Sequence, residues 1–234
     1  MTAVRLIAGN FVREQRLVTI LLVAYAVAAS LFFGLMRDST VEDMSFVLKQ
    51  QLIYAVFFGG IIALSSIHNE RKTRRLLSVL SKAVTRTQYI LGLLAGVMAI
   101  TWLYCLVIWA GGVWMLWGRG VVAQHTILTA VALMTSLLTA SVALFFASFL
   151  PPMAATAAAG LLVVLPVALA RALGPAWLDS LPIYSLVSDI ARHPVSQHWV
   201  PGWRVVVIAL LEAQAFWLSA AIIFATRDVA VAVE

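Results

Sequence analysis

Residues 127–150 read ILTAVALMTSLLTASVALFFASFL, and after Pro151-Pro152 the chain continues MAATAAAGLLVVLPVALA over 153–170. Neither run contains a charged residue. The hydrocarbon core of a bilayer is roughly 30 Å thick and needs about 20 apolar residues in helix, a length that both runs meet or approach. Proline removes a backbone donor and forbids helix continuation, so the Pro151-Pro152 pair predicts a tight turn at a membrane face. Two spans meeting at such a corner are difficult to place in a water-soluble fold.

Further runs lie on either side, at 17–36, 52–67, 89–117 and 205–226. The run at 52–67 is short and is expected to draw in Gln50, Gln51 or His68 at its ends. The run at 89–117 is long and holds Gly111-Gly112, which predicts a kink or an extension beyond the bilayer. The period-two alternation of outer-membrane strands is absent. The expected fold is an all-α membrane protein of six transmembrane helices.

Composition agrees. The chain is 63% hydrophobic and 11% charged, with a mean hydropathy of +1.00, whereas a soluble domain carries about 25% charged residues. No polar stretch is long enough for a soluble catalytic domain. The net charge of +6 falls beside the apolar runs, which favours lipid headgroups over nucleic acid. The sole cysteine, Cys105, lies inside an apolar run and says nothing of redox compartment. Arg5, Arg13 and Arg16 precede an apolar run too long for a signal peptide, so 17–36 is expected as a retained first span.

The 16 Lys and Arg residues set the expected orientation. With the N-terminus inside, Arg5, Arg13, Arg16, Arg71, Lys72, Arg74, Arg75, Lys82, Arg86 and Arg227 share one side. Arg37, Lys49, Arg119, Arg171, Arg192 and Arg204 share the other. Six spans then leave both termini in the cytoplasm.

Two further segments are expected to be membrane-bound without spanning. Residues 1–16 place Val4, Ile7, Ala8, Phe11 and Val12 at helical intervals among Arg5, Arg13 and Arg16, the pattern of an interfacial helix in the headgroup plane. A basic leader that only orients the first span fits the same residues. Residues 172–203 carry Trp177, Leu181, Ile183, Tyr184, Leu186, Val187 and Ile190, too apolar for a free loop. A short external helix dipping into the outer leaflet is expected there, with Asp179 or Ser180 as cap and Pro182 near its start.

The segment 69–83 is the most distinctive. Leu76, Leu77 and Leu80 fall on one face, and Glu70, Arg71, Arg74 and Arg75 on the other. An amphipathic helix across the cytoplasmic face offers a docking surface to a cytosolic protein. An ordinary topology-fixing loop would carry similar charges. In order, Glu70-Arg71, Leu76-Leu77-Ser78, Thr85-Arg86 and Tyr89-Ile90-Leu91-Gly92 resemble the ABC-2 type family of ABC transporter permeases. There a Glu-Arg pair, a coupling helix and a Leu-Leu-Ser … Thr/Ser-Arg … Tyr-x-x-Gly passage lead into the third span. The wider plan is similar over nearly the whole chain. Lys72-Thr73-Arg74-Arg75 stands where the family often has Gly-Thr, and Ala83-Val84 where it often has Pro.

The resemblance implies the transmembrane subunit of an exporter in a bacterial cell (inner) membrane, moving a lipid, glycan, drug or haem-like cargo. It implies a separate cytosolic ABC ATPase docking on Glu70, Arg71, Arg74, Arg75, Leu76, Leu77 and Leu80, and on the interfacial helix with Arg5, Phe11, Arg13 and Arg16. A second permease subunit, identical or not, would complete the path. ATP and Mg would sit on the partner, since this chain has no Gly-x-x-x-x-Gly-Lys-Ser/Thr loop, and no cofactor is expected here.

Glu212 is the one acidic residue deep within a span, eight residues and so roughly 12 Å from Arg204. It is expected to line the path, to pair with Arg171 or Arg204 as a gate, or to bond Gln214 for structure alone. Gly92 and Gly96 fit a small-xxx-small packing motif. Trp102, Trp109, Trp114, Trp117 and Tyr104 read as belt anchors or a cargo surface. His68, His125, His193 and His198 lack metal-ligand spacing, so no metal site is expected, and haem ligation by His193 and His198 is a remote reading. Competing functions are an intramembrane enzyme, an ion-driven secondary transporter, and a membrane anchor for a cytosolic ATPase. The first lacks nucleophile and base motifs. The second usually shows several intramembrane charges, where this chain has essentially Glu212.

Overall fold

The computed structural model describes residues 2–35, 40–72, 85–173, 185–186, 190, 193 and 198–226, with side chains undescribed at Thr2, 69–72 and 163–173. Seven helices and no strands occur among them. They are α1 (Thr2–Glu14), α2 (Arg16–Leu35), α3 (Val41–Lys72), α4 (Arg86–Leu116), α5 (Val122–Phe149), α6 (Pro152–Leu173) and α7 (Trp203–Thr226). Five of them, α2, α3, α4, α5 and α7, are long and apolar enough to cross a membrane. The exterior agrees with that solvent: Leu17, Leu21, Phe46, Leu106, Leu211 and Ile222 all stand exposed on helix flanks. This is a multi-pass helical membrane protein.

The sixth apolar run forms α6, 22 residues long, and its described part, Pro152–Leu162, is apolar except for Thr156, whose hydroxyl donates to the Pro152 carbonyl. The expected corner is present. Helix α5 ends at Phe149, Pro151 is non-helical, and α6 starts on Pro152, whose missing N–H costs nothing in a first turn.

Helix α5 is the axis of the bundle. Of its apolar stretch 72% is buried, against 17% for α2 and 22% for α7, and it packs on α3, α4, α6 and α7. Its Thr129, Thr135, Ser136, Thr139 and Ser141 hydroxyls each donate to the carbonyl one turn earlier on the same helix. That is how a buried hydroxyl is satisfied without a neighbour.

Close helix approach depends on small residues. Gly59 lies beside Thr101 and Ser136, and Gly60 beside Thr139, which joins α3 to α4 and α5. Gly111 of α4 meets Ser30 of α2, and Gly112 meets the ring of the buried His125 of α5. The two glycines therefore seat neighbours on both sides of α4, which runs unbroken for 31 residues, about 46 Å. No break in the helix occurs at Gly111-Gly112.

Helix α3 starts well before the apolar run suggested. Thr40 accepts from the Asp43 amide at 3.2 Å, while the Asp43 carboxylate accepts from the Thr40 amide at 3.1 Å and hydroxyl at 2.7 Å. This reciprocal cap, with Glu42 and Asp43 at the positive end of the helix dipole, nucleates the helix eleven residues before 52. At its other end α3 continues through Glu70 and Arg71 to Lys72. The first residues of the expected coupling helix thus belong to the last turn of α3.

Candidate functional site

The passage Thr85-Arg86…Tyr89…Gly92 builds a joint at the end of the bundle that carries α1. Thr85 is the N-cap of α4: its hydroxyl accepts from the Gln88 amide at 3.2 Å, and the Gln88 side chain accepts from the Thr85 amide at 3.3 Å. Arg86, the first residue of α4, donates through Nη1 to the carbonyls of Ala225 at 2.7 Å and Phe224 at 3.3 Å. These belong to the last turn of α7, where carbonyls have no partner within the helix and the dipole favours a cation. One turn on, the fully buried Tyr89 stacks on Phe224 with ring centroids 5.6 Å apart.

One turn further, Gly92 and Gly96 receive α1. A Cβ at Gly92 would stand 2.7 Å from the Ile7 Cβ, and one at Gly96 2.7 Å from the Phe11 ring. The small-xxx-small motif is therefore an intrachain seat. Phe11 is buried, whereas Arg5, Arg13 and Arg16 are exposed. The four residues of the motif thus join α1, α4 and α7 within three turns.

Of the expected docking residues, Glu70 and Arg71 lie on the last turn of α3, and their side chains are outside the described residues. Arg74, Arg75, Leu76, Leu77 and Leu80 lie outside the described residues altogether. The expected external segment 172–203 is described at few positions, but Leu186 and Ile190 are fully buried. The Trp199 amide donates to Gln124 Oε1 of α5 at 3.0 Å, and His193 stacks on Trp199 at 4.5 Å. No cluster of metal-binding side chains occurs among the described residues.

Halfway along the helices an aromatic ladder links α2, α3 and α4. Tyr25 lies 6.2 Å from Tyr54, Tyr54 6.1 Å from Phe58, and Phe58 6.0 Å edge-to-face from the buried Tyr104. Gln50 Nε2 donates to the Tyr54 hydroxyl at 2.6 Å. Tyr25 and Gln50 are exposed, so polar groups face outward from α2 and α3. The Gln51 amide, nearly fully buried beside them in sequence, has no hydrogen-bond partner among the described residues. Tyr104, expected as an anchor or cargo-surface residue, is buried, and Tyr25 and Tyr54 interrupt their apolar runs visibly.

Glu212 is half-buried on α7 and makes no hydrogen bond or ion pair with a described side chain. Gln214 is exposed, and Arg204 lies over the Trp203 ring at 5.7 Å. The Arg171 side chain is outside the described residues. Among the tryptophans, Trp114 packs against Gly34, Trp109 donates to Thr126 Oγ1 at 3.0 Å, and Trp102 and Trp117 are exposed. A scan against models of known protein families finds no match, and neither does a comparison with curated protein sequences.

Proposed function

We propose that this chain is the transmembrane permease subunit of an ATP-driven exporter of the ABC-2 type. It crosses a bacterial inner membrane six times, with α6 as the fifth crossing and both termini in the cytoplasm. A cytosolic ATPase grips the basic segment after α3, and a second permease subunit completes the path. Its cargo is hydrophobic or amphiphilic.

The observation that carries this reading is the joint at Thr85, Arg86, Tyr89 and Gly92. A loop that only fixes topology needs charge but no particular geometry. Here the residues leaving the loop are a helix cap, a clamp on α7, a stacked ring and the seat of α1, an arrangement suited to receiving a load. The outward-facing Gln50 and Tyr25, and Glu212, which has no partner among the described side chains, favour transport over simple anchoring. Polar groups at that depth are costly in lipid and are expected to line a protein or water surface.

Purification of the tagged chain from its native membrane tests the reading. The expected result is a copurifying ATPase whose turnover, after reconstitution, rises with amphiphilic cargo. Recovery of the folded chain with no ATPase overturns it.

A further inference from the structure

The helix that most directly receives the load is fixed by sequence-remote contacts. Arg86 reaches carbonyls 138 and 139 residues away in the sequence, at the last turn of α7. Tyr89 adds a stacked contact to the same turn. The first turn of α4 is itself locked by the Thr85–Gln88 cap, so a displacement of residue 85 moves Arg86 without first unwinding the helix. Helix α7 also packs along α5, so Arg86 and Tyr89 are its ties to the start of α4 rather than its sole support. A push arriving at the start of α4 is thereby passed to the end of the last span.

We infer that Arg86 and Tyr89 form a strut that makes α7 move with the start of α4 when the ATPase engages. The inference rests on the export reading and names Arg86 as a positioning residue within it. Arg86 is placed to act on α7 through two carbonyls. Both bonds leave one nitrogen, Nη1, at the end of the long planar guanidinium, a reach that the shorter lysine ammonium or glutamine amide matches only in part.

Hydrogen exchange on the intact complex in lipid nanodiscs, with and without ATP plus vanadate, tests the strut. In the wild type, nucleotide is expected to change exchange both at 85–92 and at 220–226. Arg86→Gln should keep the response at 85–92 and lose it at 220–226. Without nucleotide, the amides of the last turn of α7 should exchange about ten-fold faster in that variant. Arg86→Lys should give an intermediate α7 response, and it remains informative should Arg86→Gln fail to fold. A purely structural role would slow or speed both regions together. An undiminished nucleotide response at 220–226 in a folded Arg86→Gln or Arg86→Lys complex overturns the strut and leaves the export reading standing. A wild-type complex with no nucleotide response at 85–92 overturns both.

Discussion

Tyr89 of α4 and Phe224 of α7 lie face to face, their rings 5.6 Å apart and inclined by 17°. The tyrosine is fully buried, and its hydroxyl has no hydrogen-bond partner among the described residues. Its value to the fold therefore lies in the ring. Tyr89→Ala should destabilise the protein by about 3–5 kcal/mol, the usual cost of truncating a buried aromatic. Tyr89→Phe should be neutral or slightly stabilising, because it removes an unsatisfied polar atom. Thermal unfolding in detergent distinguishes the two; equal loss in both variants would contradict the assignment.

The seat of α1 makes a second prediction. A side chain at Gly92 meets Ile7 and the Val4 carbonyl, the latter at 3.3 Å. Gly92→Val should cost about 1–3 kcal/mol by overpacking and lift α1 away. Limited trypsin digestion at Arg13 should accelerate accordingly, while Gly9→Ala, with open space around it, should leave the rate unchanged.

Glu212 should oppose insertion of α7 by about 2.5–3.5 kcal/mol, the translocon cost of a carboxylate near a helix centre. Glu212→Leu is therefore expected to raise the inserted fraction of the α7 segment in a glycosylation-mapping assay, and to abolish cargo transport if the carboxylate serves the path. Full transport by that variant would reduce Glu212 to a tolerated charge.

Orientation is accessible by thiol labelling. Cys105 is fully buried and is the only cysteine, so it should stay silent toward an impermeant maleimide. Leu6→Cys and Val200→Cys occupy exposed positions on opposite sides of the proposed membrane. Val200→Cys should react in intact cells and Leu6→Cys only after permeabilisation. The reverse pattern would invert the topology.

Charge reversal of Arg71, Arg74 and Arg75 to Glu should leave folding intact and uncouple ATP hydrolysis from transport. Measuring cargo moved per ATP in proteoliposomes checks this, and an unchanged ratio would remove the docking assignment.

Hydropathy alone located the long apolar helices, since a run without charge has one comfortable solvent and needs no partner to be recognised. It failed at the start of α3, where Glu42, Asp43 and Lys49 dilute the signal and the reciprocal cap at Thr40 and Asp43 leaves no mark in hydropathy. The glycines at 92 and 96 and the apolar face of α1 were each visible, yet that one receives the other is a pairing between distant segments. Arg86 was legible only as part of a motif. Its acceptors are main-chain carbonyls, and a carbonyl leaves no trace in the letters of a sequence. The same holds for Trp199, whose amide meets Gln124.

The hydroxyls along α5 have a mechanical implication. Because each donates to its own backbone, none of these donors is committed to α3 or α7. Displacement of a flanking helix against α5 would break no hydrogen bond to these groups, only the close packing of residues such as Gly59 and Gly60.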